Sequence, residues 1–251
     1  MLDDKFEYLL RLGDNALILS QRLCEWVGKG PALEEDMALA NTALDLIGQA
    51  RMWLSYAGEL EGAGRDEDQL AFGRDAHQFR NLLIVERPNG GYADTLMRQY
   101  LFDVWHLLLL DALCRSADER MAAIAEKAKK EVTYHLRRSA DLVVRLGDGT
   151  EQSRRLMQAA LEDLWPYTGE MFAADAVDEV MQAQGMADSV ADLRAPWLAQ
   201  VQRTLAAATL RMPDPEAWMH KGGRQGRHSE HMGYLIAEMQ FLQRAYPGQK
   251  W

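Results

Sequence analysis

Residues 38–51 read ALANTALDLIGQAR, and the fold class turns on them. Asp45 shares a stripe with Asn41, Gln49 and Met52, because positions three and four apart lie together on a helix surface. Three residues beyond Asp45 stands Gly48, which carries no ligating atom. Outward from this stretch the helix runs over about 33–60. It opens with Glu34, Glu35 and Asp36, which suit the positive end of the helix dipole. Gly58, Gly62 and Gly64 mark its exit.

The rest of the chain has the same periodicity, and no stretch reads as a strand. A first helix over 4–28 has a broad apolar face that includes Leu9, Leu12, Leu19 and Leu23. A shorter one over 67–86 stops at Pro88-Asn89-Gly90-Gly91. Long helices follow over 92–116 and 119–146, closed by Gly147-Asp148-Gly149. A sixth over 151–184 is expected to kink near Pro166, which lacks a backbone donor and crowds the preceding turn. A seventh covers 189–209, and a last one covers 229–245 after the loop HKGGRQGRH at 220–228. No linker interrupts the series, so the expectation is one domain, with a core bundle over 4–146 and extra helices over 151–245.

Four acids punctuate the first two helical hairpins. Asp14 and Asp45 are 31 positions apart, and Asp103 and Glu131 are 28 apart. A ferritin-like di-iron bundle takes one acid from each of two helices and an acid-x-x-His pair from each of the other two. The expected fold is therefore all-α, a ferritin-like helical bundle with additional C-terminal helices. The histidines that would complete a metal site are missing, because Gly48 and Tyr134 stand three residues after Asp45 and Glu131. Asp103-x-x-His106 lies on a helix that should give an acid alone. In Glu131-x-x-x-His135 the imidazole is turned by about 100° from the required direction. An isolated buried carboxylate is costly. The reading is a vestigial site whose acids are held by neighbours, with Lys127, His106, His135, Asn41 and Gln49 as candidates. The alternative is a ferritin-like di-metal oxidoreductase that binds metal through Asp14, Asp45, Asp103, Glu131 and His135.

A formal charge of −10 argues against a nonspecific nucleic-acid binder, which needs a basic surface. Cys24 and Cys114 read as reduced core thiols. The N-terminus, MLDDKFEYLLRLGDN, lacks the basic and apolar regions of a secretory signal, so a cytoplasmic location is expected. The most apolar run, LFDVWHLLLLDALC, is broken by Asp103, His106 and Asp111 and is too short to span a membrane. Near the end, Lys221, Arg224 and Arg227 form a local positive patch, and Gly222, Gly223 and Gly226 permit close backbone approach to a partner or a phosphate. His228, Glu230 and His231 read as helix-start or interface groups rather than metal ligands. Tyr246 and Trp251 place aromatic groups at an exposed end, where they favour a protein interface.

DNALILSQRL, ALANTALDLIGQAR, KKEVTYHLRRSADLVVRLGDGT, LWPYTGEMF and the closing GRQGRHSEHMGYLIAEMQFLQRAYPG carry a resemblance that covers essentially the whole length. The chain resembles the phenylacetyl-CoA epoxidase family of multicomponent oxygenases, and within it the structural C-type subunit. The resemblance implies a chain with no cofactor and no catalytic residue of its own. It implies a heterodimer with a catalytic A-type subunit that holds the di-iron centre and binds the CoA thioester. A reductase with flavin and iron–sulfur groups supplies the electrons, and other subunits complete the assembly. In that setting Lys221, Arg224 and Arg227 become candidates for CoA phosphate contact or for the partner interface.

Overall fold

The computed structural model describes residues 2–249, so Trp251 lies outside the described residues. The first hairpin joins α1 (Leu2–Cys24) to α2 (Leu33–Glu61). Leu9, Leu12, Leu19 and Leu23 of α1 and Leu39, Ala43, Leu46, Ala50 and Leu54 of α2 are buried as the two helices pack. Gly13 lets them approach, since a β-carbon there would lie 2.7 Å from Leu54 Cδ2. Asp36 accepts the Gly30 N–H at 2.8 Å, and this backbone bond holds its carboxyl below the usual range.

The helix expected over 67–86 is broken. α3 (Glu67–Phe72) gives way at Gly73 to a 3-10 turn (Ala76–Gln78) and extended backbone, and α4 (Leu83–Glu86) follows. Side chains of α1 decide this. Asp14 accepts the Arg80 N–H at 2.8 Å, and Asn15 accepts the Leu82 N–H at 2.8 Å. These donors are satisfied without a helix, so periodicity loses to tertiary hydrogen bonding. The end of the chain, α10 (Glu230–Met239) and α11 (Phe241–Ala245), belongs with this part, and Gln240 Nε2 donates to the carbonyls of Ala71 and Arg74. Among the described residues, 2–88 and 222–249 together form one compact unit.

Asn89–Lys221 form the second unit. Its long hairpin pairs α5 (Tyr92–Leu113) with α6 (Glu119–Gly147), whose first turn is capped by Asp118 accepting the Met121 N–H at 2.9 Å. α7 (Glu151–Leu164), α8 (Ala176–Ala183) and α9 (Arg194–Ala207) complete the unit. The kink expected near Pro166 is a full break. α7 stops at Leu164, two 3-10 turns follow, and Asp175 restarts the helix by capping Val177 and Asp178. Buried tryptophans tie the unit together through indole N–H donors, Trp105 to Met171 O at 3.1 Å and Trp197 to Leu101 O at 3.0 Å. Among the described residues there is no strand, and no helix is long and apolar enough to cross a membrane. Both cysteines are free and half-buried, at the ends of α1 and α5, rather than in the core.

Candidate functional site

Each unit holds two of the four acids. In the first unit Asp14 is completely buried on α1 and is gripped by Arg74, which lies beyond α3 and is itself buried. Arg74 Nη1 donates to Asp14 Oδ2 at 2.9 Å, and Nη2 donates to Oδ1. The fork-to-fork geometry fixes direction as well as charge. Arg74 also donates to the carbonyls of Leu70 and Gln78 and lies over the Phe79 ring at 4.4 Å. With the Arg80 N–H, both carboxylate oxygens are satisfied by the protein's own donors. None of the expected neighbours holds Asp14. Its partner comes from 60 residues downstream.

Asp45 on α2 is half-buried and makes further interactions. A β-carbon built on Gly48 meets nothing within 4 Å, so that position opens away from packed atoms. In the second unit, Glu131 on α6 is half-buried and Tyr134 is 63% exposed, whereas His135 is buried. The step of four residues carries the imidazole inward and leaves the phenol at the surface. Lys127, a candidate partner for these acids, is exposed.

Asp103 on α5 is fully buried between Gln99 Nε2, which donates to Oδ1 at 2.6 Å, and Ser139 Oγ, which donates to Oδ2 at 2.8 Å. Burial pushes its pKa up to about 7 against the opposing pull of the Ser139 and Gln99 hydrogen bonds and the Arg138 charge. One turn on, His106 has its pKa depressed to about 3, first by burial and then by nearby His135, so its imidazole is neutral. Gln99 was visible one turn before Asp103 in the sequence. Ser139, 36 residues away, was not.

The C-terminal loop forms a second polar centre inside the first unit. Glu86, fully buried on α4, accepts from His228 Nδ1 at 2.7 Å, from Asn81 Nδ2 at 3.1 Å and from the Ser229 N–H at 2.6 Å. His228 Nε2 lies 3.1 Å from the Phe79 carbonyl. Both ring nitrogens face acceptors, an arrangement that favours the doubly protonated ring. Burial opposes that charge, but the bond to Glu86, its negative charge, the Phe79 carbonyl and the more distant Asp14 outweigh it and raise the His228 pKa. Arg22 donates to the Glu86 backbone carbonyl.

The glycines beside His228 do permit close approach, and what approaches is the chain itself. A β-carbon on Gly223 would lie 2.2 Å from Asn81 O, and one on Gly226 would lie 2.1 Å from His77 O. Arg224 is turned inward at 6% exposure and is engaged within the protein, while Lys221 and Arg227 remain exposed.

The family model described as "Phenylacetic acid catabolic protein" matches residues 2–251. The chain belongs to the phenylacetic acid catabolic protein family. Within that family it is 53% identical over 244 residues to the C-type subunit of the 1,2-phenylacetyl-CoA epoxidase of Escherichia coli (strain K12), covering 97% of this chain and 98% of the relative. It is 25% identical over 142 residues to the A-type subunit of the same organism's epoxidase, covering 56% of this chain and 44% of that one. Membership agrees with the architecture, which is all-α and ferritin-like.

Proposed function

We propose that this chain is the non-catalytic C-type subunit of a phenylacetyl-CoA epoxidase and works in complex with a catalytic A-type subunit. The observation that carries the reading is the end-to-end match to the C-type relative, 53% identical with 97% of this chain and 98% of the relative covered. The overall reaction places one atom of O2 on the aromatic ring as an epoxide. The other atom leaves as water, with two electrons and two protons supplied. The contribution of this chain is to present a pre-formed helical surface that holds the partner's helices, and so its reacting groups, in productive geometry.

Local chemistry supports the non-catalytic part. An iron ion on Asp14 would have to displace the Arg74 guanidinium, which bonds both carboxylate oxygens. Asp103 has both carboxyl oxygens engaged by Gln99 Nε2 and Ser139 Oγ, donors that a metal ion would have to displace. Positions 48 and 134 add a missing side chain and a surface phenol. The donors present do not fit a di-iron centre, and no step of the reaction is assigned to them.

The test is co-expression with an A-type subunit. The expected result is a stable complex that turns over phenylacetyl-CoA with its reductase, with neither turnover nor stoichiometric iron in this chain alone. A pair of irons bound by the isolated chain and lost on Asp45→Ala would replace the proposal with the di-metal oxidoreductase.

A further inference from the structure

In the second unit, α7 and the segment that follows α9 enclose a groove of about 550 Å³, a size typical of small-molecule sites. Arg154, Arg155 and Arg211 line it. Among the described residues neither Arg154 nor Arg155 is held in an ion pair. Glu162 lies 3.9 Å from Arg211, with both side chains exposed. The chain carries a formal charge of −10, so three guanidinium groups in one hollow reverse the local sign. The loop at 220–228, where the sequence pointed to a phosphate, instead packs its glycines against the chain itself.

The wall of the groove that faces α7 is fixed in place. Gln158 grips the backbone of Arg211 twice. The Arg211 N–H donates to Gln158 Oε1 at 2.8 Å, and Gln158 Nε2 donates to the Arg211 carbonyl at 3.1 Å. Two residues earlier, Thr209 has a φ of 56°, the one positive value on a non-glycine among the described residues. It ends α9 at a position that glycine usually fills, where the Leu210 N–H donates to the Leu205 carbonyl at 2.9 Å. A β-branched residue is an outlier in that conformation. The Thr209 hydroxyl donates to the Gly147 carbonyl at 3.1 Å, and the residue lines the groove. Backbone strain of this kind clusters at ligand sites, where the surrounding structure enforces it.

Charge and spacing select the ligand. Arg154 and Arg155 precede Gln158 by about one turn, and Arg211 approaches Glu162, one turn beyond it. The two positive poles are therefore about 12 Å apart along α7, measured at its backbone. Neutral Gln158, Ala159 and Thr209 lie between them. Glu151 and Glu162 also line the groove and can accept hydroxyl or amino donors. A bare phosphate ion would meet one pole and leave the other empty. A molecule with separated phosphates and a neutral, hydroxyl-bearing middle engages both, since each guanidinium offers phosphate a two-pronged donor. We infer that this groove binds a small organic bisphosphate of the nucleoside 3′,5′-bisphosphate class. The free nucleotide and the nucleotide end of a CoA ester both offer that chemistry.

The full chain is titrated with adenosine 3′,5′-bisphosphate at low salt, with CoA, inorganic phosphate and an acidic peptide in parallel. The bisphosphate should saturate well below about 1 mM and bind more weakly as salt rises. Arg154→Ala/Arg155→Ala should weaken it by about tenfold or more, with an unchanged melting curve because both residues are exposed. Arg211→Ala, at the other pole, should act in the same direction. Arg227→Ala, exposed on the C-terminal loop, should have no effect. CoA binding as tightly as the bisphosphate makes the ester the source, and weaker CoA binding makes it the free nucleotide. The assignment is overturned if the bisphosphate does not saturate, if the variants at 154, 155 and 211 bind as well as the parent, or if inorganic phosphate or the peptide binds as tightly. Binding here needs no A-type subunit, so its outcome is separate from that of the co-expression test.

Discussion

Arg74→Met removes the guanidinium that holds Asp14 while keeping much of its apolar stem. Three losses follow together. Asp14, fully buried, loses both guanidinium donors and keeps the Arg80 N–H, and the carbonyls of Leu70 and Gln78 each lose a donor. Breaking a buried pair by deleting one partner costs about 3–5 kcal/mol, because the other charge stays in place without compensation. For a chain of this size each kcal/mol lowers the midpoint by about 2–4 °C, so the melting temperature should drop by about 6–20 °C. The control is Asp14→Asn/Arg74→Met, which removes both charges. Its destabilisation should be well below the sum of the two single variants, with the coupling read from a double-mutant cycle in urea. A single Arg74→Met variant within about 1 kcal/mol of the parent, or additive effects in the cycle, would refute the buried-pair reasoning.

Other outcomes follow from the same geometry. The folded state raises the His228 pKa, so its pairing with Glu86 stabilises below the unfolded histidine pKa of about 6.5 and is lost as pH rises through the higher folded value. Urea midpoints taken across that window should fall with pH in the parent, and His228→Gln should lack that component. Asp103 behaves with the opposite chemistry. Its folded pKa of about 7 lies above the unfolded value of about 3.9, so the native state binds the extra proton and stability declines from about pH 4 to about pH 7. Asp103→Asn should flatten that part of the profile, and an unchanged slope would count against it. Gly48→Ala enters open space in mid-helix and should stabilise by about 0.5–1 kcal/mol in thermal melts. Gly226→Ala, with φ at 72° and His77 O in the way, should destabilise by more than that.

The helices that carry the acids were legible because their apolar spacing is regular and their ends are chemically marked. α2 and α6 begin and end within a residue or so of where acidic first turns and glycines place them. The broken segments were not. Within 73–82 the Arg80 and Leu82 N–H groups go to Asp14 and Asn15, and no local pattern reports a bond to a side chain 66 residues away. At Pro166 the sequence signalled a disturbance but not its extent. The same distance problem hid the partners of the acids, Arg74 for Asp14, Ser139 for Asp103 and His228 for Glu86. One clue was available. Asp14-Asn15 interrupts an apolar run, and two adjacent buried polar residues must both find partners.

The Glu86–His228 contact has a consequence for biosynthesis. The ribosome makes α1 to α4 first, yet the His228 side chain and the α10–α11 clasp that complete them arrive only after all of Asn89–Lys221 has been made. The stretch between, Asn89–Lys221, emerges in one piece and can mature while the earlier helices wait. A polypeptide released before residue 222 leaves the Glu86 carboxylate without its cation, so incomplete products carry a built-in defect that proteases can find.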